Sequence, residues 1–308
     1  MKKNHGQILV VGSLAFDVVF RLTAAVRDQI NIKKGKVARQ NLMFTAKDKE
    51  EFFGGTAGNI SYGLGLFKSV PIMFSVAGKD FDIEYRKHLE KMGIKVRAVI
   101  DNAGWTATYY GMTDTKGEQV GVWQPNAYRR IEDVSLLKTI SREELKRVTV
   151  AIFSTGTPES LLRHMRELRK YTKAKIIFDP GQSLGALYDK KSFNESLNAC
   201  DIFIGNDVEA HFAKKQFGFH IISFTGKGKV FVETRGEKGS VIHEKGGVTK
   251  IPAHHPKKVV DVTGAGDAYR AGFLAGLSRN LSLADSAKLG AKVAATCIEQ
   301  IGGQQYFL

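Results

Sequence analysis

The sequence predicts an α/β fold with a mostly parallel central sheet covered by helices on both faces. The first observation is a set of short apolar runs rich in Val, Ile and Phe, at residues 8–11, 71–76, 148–153, 175–178, 202–204 and 221–224. They do not alternate with polar residues, which is the pattern of strands buried on both faces. The second is helical periodicity between them, at 57–67, 83–92, 158–171 and 207–217. Strand and helix in alternation give parallel pairs joined by crossover helices. The third is the set of strand endings: Gly12-Ser13 and then Asp17, Ala77-Gly78-Lys79-Asp80, Ser154-Thr155-Gly156-Thr157, Asp179-Pro180-Gly181-Gln182 and Gly205-Asn206-Asp207. Small polar groups thus collect at the carboxyl ends of the strands, where open α/β sheets bind ligands.

Two stretches interrupt the alternation, at about 17–53 and 96–123. They are less helical and carry aromatic and β-branched residues near glycine-containing turns, with DTKGEQ at 114–119 placed as a hairpin loop. They are expected to build a small β-rich lid of the kind that closes over a site and excludes water. No repeat, low-complexity tract or long linker divides the chain, so a single domain over 1–308 is expected to carry this lid.

The 308 residues are 43% hydrophobic, enough for a large core. Net charge is +15, from 46 Lys and Arg against 31 Asp and Glu. Such a charge attracts polyanions without selecting among them. The basic residues are scattered in short clusters such as Lys33-Lys34, Lys214-Lys215 and Lys257-Lys258. None is interleaved with aromatics as single-strand binding requires, so nucleic acid is not the expected partner. Cys200 and Cys297 lie far apart, without metal-ligand spacing. They read as buried reduced thiols of a cytoplasmic protein. The apolar run at the amino terminus is too short for a signal peptide and reads as the first strand. No run approaches the ~18 apolar residues of a membrane span.

The stretch with most chemistry in it is DVTGAGDAYRAGF, 261–273. A strand-like 258–260 enters it, and a helix leaves it with Ala268, Ala271, Gly272, Ala275 and Gly276 on one small-residue stripe. First-turn amides from about Ala265 onward are expected to point outward without partners and, with the helix dipole, to hold an anion. Asp267 beside them is expected to resist protonation and so stay available as a base. As a helix cap alone it would contribute only about 1 kcal/mol, and a cap does not explain the small residues before it. The familiar phosphate loops are missing. There is no G-x-x-x-x-G-K-[ST], and no G-x-G-x-x-G between the first strand and a helix.

DVTGAGDAYRAGF resembles the D-T-G-A-G-D signature of the ribokinase-like (PfkB) carbohydrate and nucleoside kinases. Three more pieces agree, in family order. FFGGTAGNISYGL, 52–64, is similar to the Gly-Gly-x-x-x-Asn element, with Gly54, Gly55 and Asn59. GNDVEA, 205–210, resembles Asn-x-x-Glu, with Asn206 and Glu209. ETRGEKGS, 233–240, resembles the nucleotide-binding T-x-G-x-x-G turn, with Thr234, Gly236 and Gly239. Each alone has a plain structural reading, as hairpin, bend or acid-capped helix start; their joint occurrence does not. Tyr269 and Arg270, FDPGQ at 178–182 and GSLAFD at 12–17 are similar to the adenosine and nucleoside kinase branch. Val262 departs from the Thr or Pro usual before the Thr-Gly.

The resemblance implies a three-layer α/β/α sandwich with a small lid, and an ATP-dependent kinase of the 5′-hydroxyl of a ribonucleoside. It implies Asp267 as general base, with the amides of Gly264, Ala265 and Gly266 stabilising the transferring phosphoryl group. Asp17 and Asn59 would hold the ribose hydroxyls, and Gly54-Gly55 would let the sugar approach the backbone. Thr234, Gly236 and Gly239, with Asn206, would meet ATP. Asn206 and Glu209 would organise Mg²⁺. Some members use a monovalent cation, and the residues do not decide whether this one does. Phe16, Phe20 and Trp105 are candidates to stack on the base. The alternatives are a sugar kinase of ribokinase or fructokinase type, or a catalytically inactive protein that binds nucleosides or nucleic acid. Monomer and homodimer are both compatible with the sequence.

Overall fold

The computed structural model describes residues 6–29, 32–33, 36–37 and 43–308. Residues 1–5, Lys34 and parts of the first lid stretch lie outside the described residues. The strands are β1 (Gln7–Val11), β2 (Ala15–Leu22), β3 (Ile32–Lys33), β4 (Lys36–Val37), β5 (Ala46–Gly54), β6 (Ile72–Gly78), β7 (Lys95–Asp101), β8 (Ala107–Thr113), β9 (Gln119–Gln124), β10 (Val148–Ser154), β11 (Lys175–Asp179), β12 (Ile202–Asn206), β13 (Val230–Thr234), β14 (Ser240–Glu244) and β15 (Gly247–Ile251). Among the described residues, nine of them form one sheet in the order β15-β14-β13-β12-β11-β10-β1-β6-β7. The strands from β13 to β7 in this order run parallel, and β14 and β15 add an antiparallel edge. A four-stranded sheet, β5-β2-β8-β9, stands apart from it, and β3 pairs with β4 alone.

The unbroken apolar runs do what such runs dictate. Along β1, Leu9 and Val11 enter one core, while Ile8 and Val10 enter the other. Helices Pro158–Arg169 and Lys190–Ala199 cover the first face. Helices Thr56–Leu66 and Ala265–Ser278 cover the second. Helix Leu283–Cys297 packs on the last of these. The sandwich therefore has three layers. The small-residue stripe lets its helices close up: a side-chain carbon on Gly272 would lie 2.8 Å from Cα of Gly290.

Strand order reverses between β1 and β10, since the chain moves outward from β1 to β6 and β7 and later returns to β10 on the other side. Such a switch point opens a crevice at the carboxyl ends of the strands. The polar strand endings meet there. Ser13 Oγ lies 3.3 Å from Thr155 Oγ1, and Thr56 Oγ1 lies 2.6 Å from it.

Three expectations need correction. The run 221–224 is a helix, Ile221–Thr225, with Ile222 exposed and Phe224 buried. A run of four residues, three of them apolar, does not distinguish a buried strand from a helix. Residues 258–260 form no strand. They are irregular, with Val259 64% exposed, and are held by the Val260 N–H donating to the Ile298 carbonyl at 2.8 Å. The second lid stretch starts later than 96, because β7 pairs with β6 in the large sheet. The smaller sheet is built by β2, β5, β8 and β9.

Candidate active site

The turn at the head of helix Ala265–Ser278 explains its glycines. Gly264 has φ +77°, and a side-chain carbon there would lie 2.6 Å from Cα of Gly303. Glycine is the residue that enters the left-handed region and fits that gap without strain. The turn is closed by Thr263 N–H donating to Asp261 Oδ1 at 2.9 Å and by Ala265 N–H donating to the Val262 carbonyl at 3.2 Å. The Ala265 amide therefore closes the turn and does not point outward as expected. The N–H groups of Gly264, Gly266 and Asp267 have no acceptor among the described residues. Three free donors at the positive end of a 14-residue helix make an anion site.

Asp267 is partly buried at this point and accepts from Asn59 Nδ2 through Oδ2 at 2.8 Å. Burial pushes its carboxyl up to about 6, against the Asn59 hydrogen bond and Arg270, which lower it, while Asp179 adds to the rise. The expectation that it resists protonation is thus reversed in direction, because desolvation outweighs the donors. It remains mostly ionised at neutral pH. Asp17, on β2, is pushed up to about 7 by burial first, then by Asp267 and Asp261. Gly54, at the end of β5, leaves room for this side chain, since an added carbon would run into the Asp17 carboxylate. Gly55 has φ +81°, and a side-chain carbon there would lie 2.6 Å from the Ala15 nitrogen. Asn59 is not free for ribose hydroxyls in this state. Its Nδ2 is on Asp267, and its Oδ1 accepts from Gln304 at 3.0 Å.

Arg270, one helical turn beyond Gly266, lies inside the site. It is 7% exposed and forms a two-pronged pair with Asp179, through Nε and through Nη2, the latter at 2.6 Å from Oδ1. Its Nη1 donates to the Gly266 carbonyl at 3.0 Å, and Ser154 Oγ donates to Asp179 Oδ2 at 2.7 Å. The guanidinium thereby ties the head of helix Ala265–Ser278 to the ends of β10 and β11.

Asn206 and Glu209 form a reciprocal cap at the start of helix Asp207–Phe212. Glu209 N–H donates to Asn206 Oδ1 at 2.7 Å, and Asn206 N–H donates to Glu209 Oε2 at 2.8 Å. The bland reading of this motif is thus realised, but Oε1 of Glu209 keeps no partner among the described residues. Burial raises the Glu209 carboxyl, with Arg270 pulling the other way. Among the described residues no group of three or more His, Cys, Asp or Glu stands ready for a metal ion. Thr234 pairs with Asn206 across β12 and β13, so these two motifs meet at one sheet end. The turn beyond it is tight, with Gly236 at φ +55°, Gly239 at φ +81° and Arg235 N–H donating to the Gly239 carbonyl at 2.8 Å.

The aromatic candidates separate. Phe16 packs on Phe53 and Tyr85, at centroid distances of 6.1 and 5.8 Å. Phe20 is half-buried on β2. Trp105 is 58% exposed, with Lys79 Nζ 4.2 Å above its ring. The smaller sheet adds Tyr109, which pairs with Asp17 across β2 and β8. Sequence reasoning missed Tyr109, and it missed the roles of Asp179 and Gln304. Asp179 was visible as one of five polar strand endings and within FDPGQ, but not as the partner of Arg270, and Gln304 carried no signal, since nothing local announces a contact across 245 positions.

Fold and site together place a carboxylate beside a helix head whose free N–H groups suit an anion. A family model described as pfkB family carbohydrate kinase matches residues 8–307. The chain belongs to this family and is a phosphotransferase. It is 31% identical over 304 residues to a nucleoside kinase of Methanothermobacter thermautotrophicus, covering 96% of this chain and 91% of the relative. The structure of Burkholderia thailandensis nucleoside kinase in complex with inosine matches with a TM-score of 0.83 at 27% identity, over 97% of this chain and 93% of the other. The complex of the same enzyme with ADP-inosine gives 0.81 at 27% identity, over 98% and 92%.

Proposed function

We propose that this chain is an ATP-dependent nucleoside kinase that phosphorylates the 5′-hydroxyl of a ribonucleoside, with Asp267 as general base. One observation carries the reading. The Asp267 carboxylate sits beside the free N–H groups of Gly264 and Gly266, with Oδ2 occupied by Asn59. Its other oxygen can take the proton of a hydroxyl while the amides receive charge on the phosphoryl group. A positioned base typically contributes ~10²- to 10⁴-fold in rate. The nucleoside kinase relatives, and the inosine and ADP-inosine bound to one of them, support nucleoside and ATP as the substrates.

The residues fit Mg²⁺ held largely through water, since Glu209 Oε1 is free and one carboxylate suffices where the ion keeps its hydration. Bound there, the ion would neutralise charge on the phosphates. Thr234 and the Gly236–Gly239 turn would receive the nucleotide, and Asp17 the ribose. Asn59 would reach the ribose only by sharing or releasing Asp267. The smaller sheet would act as the lid. No helix among the described residues is long and apolar enough to cross a membrane. The two buried thiols, both pushed up to about 12 by burial, suit a reducing compartment.

The test is ADP release from Mg-ATP with adenosine, inosine, guanosine, cytidine, ribose and fructose. Turnover confined to nucleosides supports the reading, and turnover on free sugars alone overturns it.

A further inference from the structure

Asn59, the partner of the proposed base, is itself oriented, and the orienting chain of hydrogen bonds runs to Gln304. Gln304 is 3% exposed and makes three hydrogen bonds. Its Nε2 lies 3.0 Å from Asn59 Oδ1 and 2.7 Å from the Tyr85 hydroxyl, and its Oε1 lies 3.1 Å from His88 Nε2. The Tyr85 hydroxyl lies 2.6 Å from the Gly54 carbonyl.

The direction of every bond in this chain is set at its end. A backbone carbonyl only accepts, so Tyr85 donates to Gly54. The hydroxyl has one proton and must then accept from Gln304. This turns the Gln304 amide nitrogen inward, and its second proton meets Asn59 Oδ1. The Asn59 nitrogen is left for Asp267, at 2.8 Å. His88 supplies a ring N–H to the remaining Gln304 oxygen. Reversing any one amide sets acceptor against acceptor somewhere in the chain, at a cost that buried polar groups do not tolerate. The neighbouring residues brace it. Gly302 N–H donates to Asp261 Oδ2 at 2.9 Å, and a side-chain carbon on Gly303 would lie 2.8 Å from the Asn59 amide.

We propose that Gln304 is a positioning residue that, locked by Tyr85 and the Gly54 carbonyl, holds the Asn59 amide with its nitrogen toward Asp267 and so keeps the base ionised. The inference rests on Asp267 being the base. It also makes the carboxyl-terminal segment part of the active-site apparatus.

The charged and titratable groups that face Asp267 are Asp17 on β2, Asp179 at the end of β11, Arg270 on its own helix, Cys297 on the next helix, and Tyr85 and Tyr306, while Asp261 acts on Asp17 and Cys297. Of these, Tyr85 loses its Gln304 donor when Gln304 changes, and Gln304→Glu adds a carboxylate of its own; the others make no hydrogen bond to Gln304. Lys91 is the charge that acts on His88.

The experiment is an NMR titration of the Asp267 side-chain carboxyl carbon in the full chain without ligand, so that the readout does not depend on which substrate is used. In Gln304→Glu the new carboxylate only accepts, draws the Asn59 nitrogen to itself and leaves the Asn59 oxygen against Asp267. The expected result is an upward shift of the Asp267 titration by about one pH unit or more, since a hydrogen bond to the charged form is replaced by a repulsive dipole and a second carboxylate is added nearby; the uncharged Tyr85→Phe isolates the dipole. Gln304→Met, of nearly the same shape, removes the donors without forcing the reversal and should shift it far less. Tyr85→Phe, which unlocks Gln304, should shift it upward by an intermediate amount and serves if Gln304→Glu does not fold. An unchanged titration in Gln304→Glu, equal shifts in the Glu and Met variants, or an unchanged titration in Tyr85→Phe would overturn the proposal. Undiminished turnover in Asp267→Asn would instead overturn the reading of the base, leaving the orienting chain to be judged by the titration alone.

Discussion

The carboxyl end of the large sheet and the four-stranded sheet beside it are built on opposite terms. At the first, charges are buried and bound to one another: Arg270 holds Asp179, Asn59 holds Asp267, and Asp17 stands close enough to feel both Asp267 and Asp261. In the second, β9 is exposed along its whole length, and charges pair at the surface, as Arg21 does with Glu50 at 2.5 Å, with side chains 48% and 36% exposed. Burial makes a charge chemically useful and thermodynamically costly, whereas exposure makes it cheap and nearly inert. The groups proposed to react belong to the first region, and the second is proposed to cover it.

The largest effect should come from Arg270→Ala, which strands Asp179 in a buried site. Removing one partner of a buried pair costs about 3–5 kcal/mol, so denaturant unfolding should show a loss of that order. Arg21→Ala in the smaller sheet should cost below about 1 kcal/mol, as exposed pairs do. Similar losses in the two variants would break the comparison.

Next in size is Asp17→Asn. The folded carboxyl titrates about 7 against an ordinary value of 3.8, so the native state binds the proton more tightly than the unfolded state. Stability from this group is therefore present at low pH and lost as pH rises through the interval between those values. At pH 8 the asparagine variant should be more stable by roughly 2–4 kcal/mol, with little difference near pH 4. The same variant should bind nucleoside poorly. A variant less stable than the parent at pH 8 would contradict the burial account.

A smaller and finer effect is the pH dependence of catalysis. With Asp267 at about 6 and Asp17 at about 7, kcat/KM should fall as pH drops through that range. A profile flat down to pH 5 would mean that neither carboxylate needs to be ionised. Smallest of all, Gly236→Ala, at φ +55° with open space around it, should cost only the backbone strain of about 1 kcal/mol and raise KM for ATP without lowering kcat.

Much of the large sheet was legible because its strands are buried on both faces, and an unbroken apolar run is a strong signal. The run 221–224 misled because a half-buried helix turn of four residues has the same composition. Asp267, Gly264 and Gly266 were legible because a turn, a free helix head and a carboxylate coincide within four positions. Ala265 was read too simply, since closing the turn consumes its amide. The sign of the Asp267 shift was not legible, because burial is a property of what folds over the site. Gln304 and Asp179 reach their partners across 245 and 91 positions, distances at which a single sequence carries no register.

The most direct measurement is ADP release from Mg-ATP with the nucleoside panel, comparing the protein with Asp267→Asn at pH 7.5 under matched thermal stability. The account predicts nucleoside-dependent turnover that falls by ~10²-fold or more in the variant, with KM values for ATP and nucleoside little changed. Turnover that survives the substitution undiminished would contradict it.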